Sequence, residues 1–182
     1  LRLVTIGSLA QPYKGIDVLL TATYHLRRQG IDTKLTVVGD GKYRAELQQL
    51  STSLGLAEYV DFLGRLPAGE AVRQVLDRSS IFVLASKTEG LPRALIEAMA
   101  RGLPCIGTSV GGIPELLGVE ALVDPGDPIE LAKRIASFWS SPQLLDALSS
   151  KNLLTAKAYA YELLQKRRQG FYEHLSTTAA TL

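Results

Sequence analysis

Several residue types are scarce in this chain of 182 residues, and each shortage removes a class of protein. There is one cysteine, Cys105, so no internal disulfide can form and a cystine-stapled fold is excluded; a reducing compartment fits. The two histidines, His25 and His174, stand at no metal-like spacing from Cys105 or from an acidic residue, and both read as structural. No Ser-His-Asp set can be placed. No apolar run approaches the roughly 20 residues of a membrane span, and no signal peptide is visible. Excess charge is also lacking: 20 Lys plus Arg against 18 Asp plus Glu gives +2, which argues against a dedicated nucleic-acid binder. Met99 is the only methionine, and the chain opens mid-strand with Leu1-Arg2-Leu3-Val4. The expectation is one domain of a longer protein.

What is present is apolar residue, at 46% of the chain, arranged as alternating strands and helices. Leu1–Gly7, Lys34–Gly39, Val60–Gly64, Ile81–Ala85, Pro104–Gly107 and Ala121–Val123 read as strands. Between them Ile16–Gln29, Tyr43–Leu54, Ala68–Arg78 and Pro92–Arg101 read as helices, the first two stopped by Gly30 and Gly55. Asp127-Pro128 is an N-cap followed by proline at the first helical position, opening a helix to about Trp139. Ser140-Ser141-Pro142 breaks it, and helical pattern resumes to about Leu175 before a polar tail at 176–182. Strands apolar throughout, alternating with helices, imply a parallel sheet covered on both faces. The expected fold is α/β, a Rossmann-like three-layer sandwich with a mainly parallel six-stranded sheet and extra C-terminal helices over residues 1–175. The helices after Pro142 follow no strand and suit an interface with an absent domain.

In such sheets ligands bind beyond the carboxyl ends of the strands. The unusual loops fall there: Ser8–Gly15, Gly39–Gly41, Gly64–Leu66, Ser86–Gly90 and Thr108–Gly112. The run S-K-T-E-G-L-P-R-A-L-I-E-A-M, Ser86–Met99, is the most informative. It puts Glu89 on a loop and Glu97 in the second turn of a helix, with free N–H groups between them. A diphosphate needs donors, and the hydroxyls of a sugar and a ribose need acceptors. Lys14, just before a helix start, is electrostatically misplaced unless an anion lies between it and the helix. Glu97 has a structural alternative in ion pairs with Arg93 and Arg101, four residues away on either side. Gly39-Asp40-Gly41 is half of a dinucleotide fingerprint, with Arg44 where the third glycine would stand, and equally suits a tight turn. Gly111-Gly112 can pass under phosphates or simply turn. Cys105, in a buried strand, reads as a core residue.

These residues resemble the C-terminal, donor-binding domain of retaining family-4 glycosyltransferases, which pair two Rossmann-like domains in the B-type architecture. The likeness runs from Leu3 to about Trp139. It rests on Lys14-Gly15, Val38-Gly39-Asp40-Gly41, Phe62-Leu63-Gly64, Ser86-x-x-Glu89-Gly90, Glu97-Ala98-Met99-Ala100-x-Gly102-x-Pro104 and Gly111-Gly112-x-Pro114-Glu115. The E-x7-E signature is Glu89 and Glu97. The resemblance implies that Lys14 contacts the donor diphosphate and that Glu89 holds sugar hydroxyls near the reacting carbon, these two being the catalytic candidates. It implies that Gly90 and Leu91 give N–H groups to phosphate, that Glu97 binds ribose, and that Gly64-Arg65-Leu66 lies along the base. Ser86 and Ser8 complete the substrate-binding set. Family members usually have arginine where Ser8 stands; serine offers one neutral hydrogen bond where arginine clamps phosphate. Arg93 or Arg65 could compensate.

The expectation is the donor half of a retaining glycosyltransferase working without metal or cofactor, inactive by itself. Its partners would be a nucleotide-diphosphate sugar and a missing N-terminal acceptor domain, with no nucleic acid. It would be cytoplasmic, any membrane contact running through the missing domain. The alternatives are a non-catalytic sugar-nucleotide-binding module, or a B-type epimerase or phosphorylase, the last disfavoured because no lysine stands out for a pyridoxal cofactor.

Overall fold

A computed structural model describes residues 1–179, with side chains as far as Tyr172. Six strands form one sheet: β1 (Arg2–Ile6), β2 (Lys34–Val38), β3 (Val60–Gly64), β4 (Ile81–Leu84), β5 (Cys105–Thr108) and β6 (Leu122–Val123). Every pairing is parallel, and the order is β3-β2-β1-β4-β5-β6. Strands β4 and β5, each paired on both sides, are buried along their whole length, because helices cover both faces and no position of the strand can reach water. Cys105 is fully buried in β5 and its Sγ–H donates to the Leu103 carbonyl; burial pushes its thiol pKa up.

The first four helices return the chain from the carboxyl rim to the start of the next strand, and three more follow β6. They are α1 (Ile16–Arg28), α2 (Arg44–Ser53), α3 (Glu70–Asp77), α4 (Arg93–Ala100), α5 (Pro128–Trp139), α6 (Pro142–Lys157) and α7 (Tyr161–Ala179). Helix α1 packs against α2 and α5, and α4 against α6. Leu19, Leu20 and Leu26 of α1 and Leu95 and Met99 of α4 are wholly buried. Asp127 caps α5, its carboxylate accepting from the N–H groups of Ile129 and Glu130 at 2.9 Å each; such a cap contributes about 1 kcal/mol. Asn152 of α6 is buried and donates to the Leu103 carbonyl at 2.7 Å, which fastens α6 beside α4.

Two boundaries differ from those expected. The helical pattern beyond Pro142 is two helices, divided at Ala158–Ala160. Helix α7 continues to Ala179, so it takes in the first part of the tail expected at 176–182; residues 180–182 lie outside the described ones. Among the described residues no helix is long and apolar enough to cross a membrane.

Candidate functional site

The strand order reverses direction between β1 and β4, and a crevice opens above such a switch point. The loop after β1 carries Lys14 and the loop after β4 carries Glu89. Residues 75 apart in sequence are thus brought together, and Lys14 Nζ lies 2.6 Å from Glu89 Oε1. Ser86 Oγ donates to the same oxygen at 2.7 Å. Lys14 ends a short 3-10 turn, Pro12–Lys14, and Gly15 then takes a left-handed conformation (φ 66°) before α1. A Cβ on Gly15 would stand 1.9 Å from the Ala85 carbonyl oxygen, so only glycine lets the lysine loop sit this close to β4.

All five rim loops are joined by backbone hydrogen bonds, in the spatial order of their strands. Gly39 N–H donates to Gly64 (2.8 Å), Leu9 N–H to Asp40 (3.0 Å), Lys87 N–H to Tyr13 (2.7 Å) and Gly112 N–H to Gly90 (3.0 Å). The half-fingerprint glycine Gly39 has a tertiary reason: with φ 140°, its missing Cβ would fall 1.8 Å from the Gly7 carbonyl oxygen. Gly111 is comparable, its absent Cβ pointing 1.8 Å from the Glu89 carbonyl oxygen. Gly111-Gly112 therefore supports the backbone of Glu89-Gly90 from beneath.

Glu97 does not form the ion pairs that its spacing allowed. Arg101 turns instead to Asp77, with Nε–Oδ1 2.7 Å and Nη2–Oδ2 2.8 Å, and this hydrogen-bonded pairing lowers the Asp77 pKa. Among the described residues the Glu97 carboxylate has no hydrogen bond or ion pair. It borders a cavity of about 340 Å³ with Gly69, Val72 and Arg73. Val72 also borders a cavity of about 220 Å³ that Ser8, Asp40, Arg65 and Leu66 share. Gly7 lines that second cavity, and the Lys14 stem passes over it, the Lys14 Cδ lying 3.7 Å from where a Gly7 Cβ would be. The two cavities share Val72 in their walls, and Glu97 borders the first of them.

The remaining expected residues fall as follows. Gly64 is buried under the loop it opens, with Leu66 half-buried and Arg65 exposed. Gly90 and Leu91 are exposed, and their N–H groups donate to nothing among the described residues. Helix α4 begins with no side-chain cap, so its first N–H groups stay open as well. Ser8 is exposed, and its hydroxyl accepts from Ala10 N–H at 3.2 Å. Ser86 has its side chain fully buried, with its hydroxyl donating to Glu89.

Four contributors were not among the expected site residues. Thr108 is buried and donates from Oγ1 to the Ser86 carbonyl at 2.6 Å. Val72 and Arg73 of α3 border the Glu97 cavity. Arg44 donates to the Phe62 carbonyl at 2.9 Å and lies 3.6 Å from Asp40, tying the β2 and β3 loops together. Only the placement of Thr108 in a rim loop and of Arg44 in the half-fingerprint could have drawn notice.

The family described as "Glycosyl transferases group 1" matches residues 1–141. The GPI3 subunit of phosphatidylinositol N-acetylglucosaminyltransferase from Saccharomyces cerevisiae is 32% identical over 183 residues, covering 98% of this chain and 40% of its own length. The chain spans less than half the length of these curated relatives, 36% and 48% in two of them. Among solved structures, HepE of Anabaena in complex with UDP superposes with a TM-score of 0.81 at 27% identity, over 96% of this chain and 48% of that one. The C-terminal domain of LpcC, a group 1 glycosyl transferase from Francisella tularensis, has a TM-score of 0.74 at 22% identity, over 86% of this chain and 85% of that one; that likeness concerns the fold alone.

Proposed function

This chain belongs to the group 1 glycosyl transferases, and from that premise we propose that it is the donor-binding half of a retaining enzyme moving a sugar from a nucleoside diphosphate to an acceptor. The observation that carries the reading is the rim itself. An ammonium paired with Glu89, open N–H groups and a second acid, Glu97, beside a cavity lie along one edge of the sheet. The diphosphate would lie over the N–H groups of Gly90 and Leu91 at the start of α4, where the helix dipole favours negative charge. Lys14 would meet it from the β1 side. Glu89 would take sugar hydroxyls and Glu97, free of partners, the ribose pair. The base would enter between Asp40 and the Gly64–Leu66 loop. Donors already aimed at the phosphates stabilise the charge left as the glycosidic bond breaks, and the carboxylates orient the sugar without reorganising. HepE, which shares the fold and 27% of its residues, is described in complex with UDP.

The acceptor and the partner domain are part of the same proposal. A preceding domain would close the cleft, carry any membrane contact, and face the exposed side chains of α7, among them Tyr161 and Phe171; the whole protein would work in the cytoplasm, without metal. The chain alone then binds a nucleoside diphosphate and transfers nothing. Calorimetry with UDP, GDP and ADP tests this: one of the three gives heat, and no heat with any, on folded protein, overturns the reading. Glu97→Gln weakens the ribonucleotide about tenfold, as losing a hydrogen-bonded charge does, and leaves its 2′-deoxy counterpart within about twofold.

A non-catalytic nucleotide-binding module is the second reading, and Ser8 favours it. Its hydroxyl accepts from its own loop and offers no charge to a phosphate. Turnover of a donor by the full-length protein would eliminate it.

A further inference from the structure

Glu89 has two oxygens with unequal surroundings. Lys14 and Ser86 both meet Oε1, and Oε2 has no hydrogen-bond partner among the described residues. One side of the carboxylate is held and the other is open. Ser86 is 0% exposed, so its hydroxyl cannot reach a ligand; its one proton goes to Glu89. The Ser86 backbone is fixed in turn by the 2.6 Å hydrogen bond from Thr108 Oγ1, a side chain 1% exposed. A buried chain of donors therefore runs from the end of β5, across the end of β4, to the acid at the rim.

We infer that Ser86 is a positioning residue for Glu89, holding Oε1 so that Oε2 faces the donor sugar while Lys14 serves the diphosphate; this rests on the donor-binding reading above. The two donors on Oε1 differ in freedom. Lys14 is 19% exposed at its side chain and ends in an ammonium with three rotatable protons, so a diphosphate at the rim competes with Glu89 for it. Ser86 is sealed off and has no such competitor. When the ammonium turns to phosphate, the serine is the donor left on the carboxylate. A terminal carboxylate torsion is broad and roughly two-fold, so without that hydrogen bond the open oxygen has no defined direction. The expected consequence is selective: losing Ser86 impairs recognition of the sugar and spares recognition of the nucleotide.

Calorimetry on the chain reads this as a ratio, the affinity for a nucleotide sugar over that for its parent diphosphate. The probes are UDP-glucose, UDP-N-acetylglucosamine, GDP-mannose and ADP-glucose, each against UDP, GDP or ADP. Ser86→Ala lowers the ratio roughly tenfold, the scale of a hydrogen bond to a charged group, and leaves the diphosphate affinity within about twofold. In a Glu89→Ala background the same substitution changes the ratio by less than about twofold, as coupled partners require. Thr108→Val, close in shape, shifts the ratio in the same direction and Thr108→Ser restores it, which decides the matter should Ser86→Ala fail to fold. A ratio unchanged in folded Ser86→Ala and Thr108→Val overturns the inference and leaves the donor reading standing. So does a parallel fall of both affinities, the mark of general loosening. Wild-type chain that binds no nucleoside diphosphate overturns the donor reading, and the inference with it.

Discussion

Lys14, Ser86 and Glu89 at the carboxyl ends of β1 and β4 can be set against Arg2, Lys34 and Arg78 at the opposite edge of the same sheet. Both edges carry basic side chains beside an acid, and both border cavities. The one at Arg2, Lys34 and Asp61 is about 270 Å³, larger than the 220 Å³ cavity at Ser8 and Arg65. Arrangement separates them. At the carboxyl edge an ammonium and a hydroxyl converge on one oxygen of Glu89, whose side chain is 9% exposed. At the amino edge the cations are exposed, and the hydrogen bond joining two of these residues runs from Arg2 Nη1 to the Arg78 carbonyl at 3.5 Å. Solvated charges need no ligand, whereas groups taken from water and aimed at one point are preorganised to meet one. Convergence and burial distinguish the carboxyl edge.

Glycine substitution should produce the largest contrast between the edges. Gly15 and Gly30 both have positive φ, 66° and 81°, but nothing lies within 4 Å of a Cβ on Gly30. Gly30→Ala should cost only the left-handed strain, about 1–2 kcal/mol. Gly15→Ala adds a clash with the Ala85 carbonyl oxygen and should cost roughly 3 kcal/mol or more, with loss of nucleotide binding. Urea melts measure both, and equal losses would erase the distinction drawn here.

Charge removal should follow, with a smaller effect on affinity. Lys14→Ala is expected to weaken the bound nucleoside diphosphate by about tenfold or more, the scale of a charge-assisted contact. Lys34→Ala should change it less than about twofold. Similar losses from both would mean that diphosphate responds to the general field and not to a built site.

Acid titration gives the smallest effect and sharpens the comparison from outside both edges. Glu120 meets Lys151 at 2.7 Å, and that hydrogen bond holds its pKa below the ordinary glutamate value despite partial burial. A depressed folded-state pKa contributes stability above the unfolded value, and the contribution disappears as pH falls through the folded one. Glu120→Gln should thus cost a few tenths of a kcal/mol at neutral pH, since the pair is largely exposed, and nothing in strong acid. Melts at pH 7 and below pH 4 check the sign. A variant penalty that grows on acidification would contradict it.

How much of this was legible varies by element. The six strands could be read because both faces of the sheet are covered, which makes each strand an apolar run. The Asp127 cap could be read because capping is local chemistry. The division between α6 and α7 could not, since Ala158-Tyr159-Ala160 contains neither glycine nor proline. Glu89 and Lys14 were visible as candidates through their spacing to glycine, proline and a helix start. Ser86 was visible too, but its hydrogen bond to Glu89 was not, because sequence does not report which way a hydroxyl points.

By itself the sequence determined the alternation of strands and helices, the loops that carry chemistry, and their common edge, since these follow from short-range propensity and from parallel strands all pointing one way. The tertiary structure alone decided that β1 lies beside β4, that Lys14 therefore meets Glu89, that Arg101 leaves Glu97 for Asp77, and that Thr108 stands behind Ser86. Those are contacts between residues distant in the chain. Competition among partners settles them, and a spacing rule lists the partners without ranking them.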